Sequence, residues 1–375
     1  MIDNSVKYKP IHRLFIANRG EIALRIHRTA KVMGINTIGI ITKSELQTPA
    51  DEEVFIEGDT LAQTYLNIDA IINAALLKKA DAIHPGYGFL SENPAFAEAT
   101  HKAGLIFVGP TADVIREIGD KTNARILAQS LDIPVTKGFF GTAEEIYKQK
   151  KELPYPLLIK AAAGGGGKGM TMVDSVHELE KKLKQAEREA ERYFGDKTLL
   201  VEQYISQPRH IEVQILADKH GNCLHLYERE CSIQRRYQKI IEESPSPFVT
   251  DSLRKRLTTD ALKLCKEIGY HNAGTVEFLV DKDGNHYFLE VNARLQVEHP
   301  VTEMITSIDL VKQQFLIAMG LPLTLSQEDI KINGHAMECR IYAENPQNNF
   351  HPAPGKILHV QWPNQSLART DSWFD

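Results

Sequence analysis

The 375-residue chain reads as an α/β protein, with a doubly wound and mostly parallel first domain followed by a strand-rich second domain. Three observations predict this. Short apolar runs starting at Arg13, Ile35 and Asp81 alternate with helical patterns, as strands and helices of a parallel sheet do. Further on, Asp283-Gly284 separates TVEFLV from HYFLEV, two runs rich in β-branched and aromatic residues, which is a hairpin signature. Between these regions a glycine run stands between the apolar runs PYPLLIK and MTMV, a strand, loop and strand pattern.

Composition excludes several classes of function. With 42% hydrophobic and 25% charged residues, the chain is an ordinary globular one of two or three domains. Its 44 basic and 49 acidic residues are well mixed, giving a net charge of −5 and no footprint for nucleic acid or an anionic membrane. No run is apolar and long enough to span a membrane. Cys223, Cys231, Cys265 and Cys339 show no C-x-x-C spacing, so neither a zinc ribbon nor a dithiol redox motif is supported. The opening MIDNSVKYKP resembles neither a signal nor a transit peptide, and a cytoplasmic protein is expected, although a processed organellar protein would look the same.

In chain order, RLFIAN at residues 13–18 forms the first strand, a helical pattern runs on to Met33, and INTIGIIT forms the second strand. Helical segments around residues 61–79 then lead to DAIHPGYGFLSEN, where Gly86 and Gly88 mark a turn at a strand end. Ligands often bind at that edge of an α/β sheet, although a purely structural turn fits equally. The first turn, NRGE, has one glycine and lacks the G-x-G-x-x-G of dinucleotide sites. After Gly109-Pro110 a helix contains Asp120-Lys121, and Asp132-Ile133-Pro134 marks a boundary.

Thr142 and Glu145 form a capping box, and PYPLLIK ends at Lys160. The following AAAGGGGKGMTMV carries the clearest phosphate signal, because glycines let consecutive N–H groups converge on an anion. Lys168 precedes Gly169 and a second strand follows, so this is a flap and not a Walker A loop. A linker is the competing reading. Ser175 and Glu178 suggest a second capping box, opening an amphipathic helix with Val176, Leu179, Leu183, Ala186 and Ala190 on one face. LLVEQYI and HIEVQILAD are strands, the latter half-buried, and Arg229, Arg235, Arg236, Gln238 and Lys239 form a basic cluster that is either an anion site or a solvated face.

If Asp283 and Gly284 are the two turn residues, both at positive φ, counting outward sets Glu277 opposite Glu290. Opposed like charges are destabilising, and a divalent cation would offset them. Period-two alternation adds Asn292 and Arg294 to the same face, and such an oxygen set suits Mg²⁺. Two solvated glutamates on an exposed hairpin are the alternative.

GGGGKGM, ECSIQRRYQKIIEESP, FLEVNARLQVEHPVTE and GHAMECRIYAE together resemble the signatures of the biotin carboxylases, as do HPGYGFLSEN and GDK in the first domain. The resemblance covers the chain from Leu14 onward. It implies an ATP-grasp fold: an N-terminal domain at residues 1–118, an ATP-grasp domain at 119–333 with a glycine-rich lid at about 135–204, and the start of a C-terminally truncated domain at 334–375. It implies that Lys121, Lys160, Gly165, Gly166, Gly167, Lys168 and Gly169 bind ATP phosphates. Glu202, with the backbone of Gln203, Tyr204 and Ile205, holds adenine and ribose, and His210 and Gln234 add contacts. Glu277, Glu290 and Asn292 bind Mg²⁺ or Mn²⁺. Lys239, Arg294, Gln296 and the Val297 amide cradle bicarbonate, Glu298 is the general base, and Arg340 stabilises the biotin enolate.

The implied reaction is carboxylation of biotin on a carrier protein by ATP and bicarbonate, with a carboxyltransferase as further partner and a homodimer as the common assembly. Tyr237 and Ala293 depart from the family, which often has histidine or asparagine at the first position and threonine at the second. No biotinylation motif of the A-M-K-M kind is present, so biotin arrives on another segment or chain. Two other readings are a ligase acting on a different carboxylate and a non-catalytic nucleotide-binding fragment.

Overall fold

The computed structural model describes residues 6–162 and 170–373. Its first part is organised by five parallel strands, β1 (Arg13–Ile16), β2 (Asn36–Ile41), β3 (Glu52–Phe55), β4 (Ala82–His84) and β5 (Ile106–Phe107), in the order β3-β2-β1-β4-β5. Strands β1 and β2 read as apolar runs because they are buried on both faces. Helices α1 (Gly20–Val32), α2 (Ile68–Leu77) and α3 (Pro94–Lys102) flank them, while α4 (Ala112–Gly119) turns Val114, Ile115 and Ile118 into a core shared with later elements. The side chains of Asn67, Asn93 and Thr111 accept backbone N–H groups at the starts of α2, α3 and α4. Two sequence expectations change here. Strand β3 was not anticipated, since only Val54 of its residues is buried, and residues 61–66 form turns, with the helix beginning only at Ile68.

Helix α5 (Lys121–Ser130) leads into a four-stranded antiparallel sheet. Its strands β6 (Gly138–Gly141), β7 (Leu157–Ala161), β8 (Thr171–Val173) and β9 (Leu199–Gln203) are ordered β6-β9-β7-β8 and backed by α6 (Ala143–Lys148) and α7 (Val176–Phe194). Leu179, Leu183, Ala186 and Ala190 face a separate core with Ile146, Ile159 and Val201. The Thr142–Glu145 capping box forms as expected. At α7 the second box does not: Ser175 makes no capping bond, and Glu178, held by Lys182 at 2.8 Å, accepts the Asp174 N–H instead. Gly165, Gly166, Gly167, Lys168 and Gly169 lie outside the described residues, between the paired strands β7 and β8.

The third sheet is antiparallel, with β10 (Arg209–Ala217), β11 (Cys223–Arg235), β12 (Gln238–Ser244), β13 (Asn272–Val280), β14 (His286–Asn292) and β15 (Ala336–Cys339) in the order β14-β13-β10-β11-β12-β15. Ile211, Val213, Val276 and Phe278 pack against Leu253, Leu257 and Ala261 of helix α8 (Asp251–Glu267). On the opposite face the chemistry changes along the strands. At one end Leu216, Leu224 and Leu226 meet Val311 and Phe315 of α10 (Leu310–Ala318), which follows α9 (His299–Thr306), in a core shared with α1. At the other end Glu212, Gln214, Thr275 and Glu277 are buried, so HIEVQILAD is covered on both faces and not half-buried as its alternation predicts.

The β13–β14 hairpin pairs Glu277 with Glu290 as predicted, but by a different route. Val280 pairs with His286, and the wider turn is closed by Asp281, whose carboxylate accepts the N–H groups of Asp283 and Asn285. Only Gly284 of the Asp-Gly pair has positive φ, at 78°. A bulge between Phe278 and Glu277 shifts the register by one and restores the opposition of the two glutamates.

Candidate active site

Arg229, Glu212, Glu277 and Glu290 occupy successive partner positions on β11, β10, β13 and β14, forming a row of charges across four strands. Three neighbouring carboxylates would repel one another, and cations hold them in place. Arg229 lies 2.5 Å from Glu212, Lys121 at the start of α5 lies 3.1 Å from Glu290, and His210 lies 3.0 Å from Glu277. Lys239 reaches across β11 to stand 2.5 Å from Glu212, 2.8 Å from Glu277 and 2.7 Å from Glu298. Burial opposes its charge, but the surrounding carboxylates hold its ammonium well above the usual lysine range. The same contacts outweigh burial at the carboxylates, bringing Glu212 down to about 2 and Glu277 lower still.

The segment after β14 adds the remaining groups. Glu92, ahead of α3 in the first domain, accepts the Ala293 N–H at 3.1 Å and pairs with Arg294 at 2.8 Å. Arg294 then donates to Gln296 at 3.0 Å and to Asn292 at 3.2 Å, while Asn292 and Gln296 donate to Glu277 at 2.8 and 3.3 Å. Glu298, at the N-terminus of α9, is fully buried. One of its oxygens faces Lys239 and the other lies 2.7 Å from Arg340, whose Nε lies 2.6 Å from Glu242. Behind this segment, His299 bonds the Gln296 carbonyl at 2.8 Å through Nδ1 and accepts from Arg25 at 3.2 Å through Nε2. Burial, aided by Arg25, pushes its pKa down to about 3, so a neutral ring braces the turn.

A second group gathers on β9. Lys160 forms an ion pair with Glu202, which also accepts the Thr136 hydroxyl at 2.7 Å. Gln203 and Tyr204 donate their N–H groups to the carbonyls of Lys137 and Pro156, and Ile205 follows half-buried. Helix α5 connects the groups, since Lys121 touches Glu290 and Arg125, one turn later, lies 3.7 Å from Glu202. Gln234 donates to the Cys231 carbonyl, and Val297 is half-buried beside Glu298.

Family models for the biotin carboxylase N-terminal domain, the carbamoyl-phosphate synthase L chain ATP-binding domain and the biotin carboxylase C-terminal domain match residues 10–115, 120–326 and 338–375. A biotin carboxylase of Haemophilus influenzae is 48% identical over 370 residues, covering 96% of this chain and 82% of that protein. This chain belongs to the biotin carboxylase family. Its fold is the ATP-grasp fold, and it is a ligase that carboxylates biotin at the expense of ATP. A biotin carboxylase–β,γ-ATP complex from Campylobacter jejuni superposes with a TM-score of 0.91 at 46% identity, covering 96% of this chain and 82% of that one. The biotin carboxylase domain dimer of a Hydrogenobacter thermophilus 2-oxoglutarate carboxylase, in complex with MgADP, ADP and bicarbonate, gives a TM-score of 0.88 at 44% identity over 93% of this chain and 81% of that one.

The residues expected to hold a biotin carboxylase metal ion fit a hard cation in that Glu277 and Glu290 oppose their carboxylates across the strands, while Asn292 turns its amide N–H to Glu277 and its oxygen to Arg294. His210 Nε2 is buried 3.0 Å from Glu277, so the histidine is a further close neighbour of that carboxylate. His210, Glu212 and Glu277 also offer ligand atoms within 4.8 Å of one another, but Lys239 already bridges those two glutamates.

Several members of the site escaped the sequence reading. Glu212 stands in the period-two row His210, Glu212 and Gln214 of a strand whose alternation predicts half burial, and nothing in that alternation marks it as a partner of Arg229 and Lys239. Of the basic cluster, Arg229 is a buried partner of Glu212, Arg235 pairs with Glu344, and Arg236 donates to the Asn349 carbonyl; Lys239 alone reaches Glu298. Glu92 and Glu242 carry no local signal, because their partners lie far away in sequence. No helix among the described residues is long and apolar enough to cross a membrane.

Proposed function

We propose that the chain carboxylates biotin through carboxyphosphate, with Glu298 as the base. The supporting observation is that a fully buried carboxylate has one oxygen on Lys239 and the other on Arg340, joining a bicarbonate-binding side to a biotin-binding side. Bicarbonate is held by Lys239, Arg294, Gln296 and the Val297 amide. Glu298 takes its proton, an oxygen attacks the γ-phosphorus of ATP, the bond to the β,γ-bridging oxygen breaks, and ADP leaves. Carboxyphosphate then splits into CO₂ and trianionic phosphate. That phosphate takes the N1′ proton of biotin, and N1′ bonds to CO₂ while Arg340 stabilises the enolate.

ATP is bound by Lys121, Lys160, the glycine flap with Lys168, Glu202 to Ile205, His210 and Gln234. Bound Mg²⁺ or Mn²⁺, held by Glu277, Glu290 and Asn292, supplies charge neutralisation at the phosphates. Residues 135–204 act as a lid within a 119–333 catalytic domain, between domains at 1–118 and 334–375. A biotin carboxyl carrier protein, a carboxyltransferase, a homodimeric assembly and a cytoplasmic setting complete the proposal. The test is bicarbonate-dependent ATP hydrolysis with and without free biotin. Hydrolysis that needs bicarbonate and rises with biotin supports the reading, and bicarbonate-independent hydrolysis contradicts it.

A further inference from the structure

Glu242 and Glu338 are direct partners across β12 and β15, so their carboxyl groups rise side by side from one face of the sheet. Glu242 is fully buried, and its Oε2 and that of Glu338 are both shielded from solvent without a hydrogen-bond partner among the described residues. Two ionised carboxylates would lose hydration there and repel each other. A single proton between them satisfies both orphaned oxygens and relieves the repulsion.

Arg340 stands two residues beyond Glu338 on the same side of the strand, with Nε 2.6 Å from Glu242 and Nη2 2.7 Å from Glu298. The other charged groups facing the pair are Glu298 ahead of α9, Glu212 on β10 and Arg229 on β11. Burial is the largest influence on both carboxyls. With Glu298 and Glu212 adding to it against Arg340, Glu242 is pushed up to about 7. With Glu242 and Glu298 adding to it, Glu338 is pushed up to about 8.

We infer that Glu242 and Glu338 form a one-proton carboxyl pair that positions Arg340, giving the guanidinium one balancing charge and leaving its positive field for the anion formed on biotin. The inference rests on the role of Arg340 proposed above. Were both carboxyls ionised beside Glu298, Arg340 would be surrounded by negative charge where another anion must form. Loss of the shared proton at alkaline pH therefore lowers biotin carboxylation, while bicarbonate-dependent ATP hydrolysis, which draws on Lys239, Arg294 and Glu298, keeps its own pH profile.

The experiment compares pH profiles of both reactions with free biotin in the wild type and in Glu338→Gln, whose amide hydrogen-bonds to Glu242 without titrating. The expected result is an alkaline limb in biotin carboxylation that moves up by about one pH unit or more in Glu338→Gln, with Glu338→Ala losing roughly tenfold in kcat. In the wild-type protein near neutral pH, infrared spectroscopy should show the carbonyl band of a protonated carboxyl group that Glu338→Gln removes. An unmoved alkaline limb in folded Glu338→Gln, or no such band, overturns the pair. Equal loss of both reactions in Arg340→Met overturns the assigned role of Arg340 instead, whereas the infrared band reports the shared proton independently of that role.

Discussion

Lys239 Nζ lies 2.7 Å from Glu298 Oε1, and the same ammonium stands between Glu212 and Glu277. One cation therefore compensates three buried carboxylates drawn from two strands and a loop. Substituting Lys239 by Met leaves them facing one another in a site that excludes water, so the variant should lose about 3–5 kcal/mol of stability. Turnover should fall by at least about a hundredfold. Calorimetry beside steady-state kinetics checks both, and an unaltered melting temperature would show that the carboxylates find other partners.

The opposition of Glu277 and Glu290 across β13 and β14 predicts a metal phenotype. Glu277→Gln and Glu290→Gln should each raise the Mg²⁺ concentration needed for half-maximal ATP hydrolysis by tenfold or more, since each removes an anionic oxygen ligand. The two differ in stability. Glu277 also balances Lys239 and His210, so its variant should melt earlier than that of Glu290, whose partner is Lys121 at the helix start. Wild-type Mg²⁺ dependence in either variant would remove that residue from the metal site.

Residues 138–203 have a sheet and core of their own, and Lys160 and Glu202 lie in that unit, away from Glu298. ATP bound between the two groups should tie them together. Amide hydrogen exchange from Pro134 to Tyr204 should slow on adding Mg-ATP, most of all in β7, β8 and β9. No change there, with ATP shown to be bound, would mean that the unit is already docked.

Stability should fall on both sides of neutrality, for opposite reasons. Glu212 and Glu277 have native pKa values below the ordinary 4.5, so their contribution is present above the unfolded value and is lost as pH falls through the depressed native ones. Burial and mutual repulsion raise the Glu242 and Glu338 pair above the ordinary 4.5, so the native state keeps a proton that the unfolded state releases, and stability declines as pH rises from about 4.5 toward 8. Denaturant titrations at several pH values test this. In Glu338→Gln the alkaline decline should flatten while the acid one persists.

The hairpin shows how far the sequence could be read. Asp283-Gly284 located the turn, and period-two counting paired Glu277 with Glu290, yet the turn is wider and a bulge supplies the missing residue of register. The count came out right because two one-residue departures cancel. Candidate residues lying in one contiguous motif, such as Arg294, Gln296 and Glu298, could be picked out together for that reason, and the folded chain brings them into one cluster. Glu92 and Arg25 could not be, because each reaches the site from the first domain and only the folded chain brings it there. Burial misled as well: the polar row His210, Glu212 and Gln214 looks like a solvated face, and becomes a buried one only when Arg229 and Lys239 arrive from neighbouring strands.

The central claim is that Glu298 removes the proton from bicarbonate before phosphoryl transfer. Its most direct test is the rate of bicarbonate-dependent ATP hydrolysis in Glu298→Gln, which keeps the shape and hydrogen bonds of the side chain but cannot accept the proton. The account predicts a fall in kcat of roughly 10²–10⁴-fold with Mg-ATP affinity retained. Hydrolysis within a few-fold of wild type, still dependent on bicarbonate, would contradict it and shift the role of base to another group.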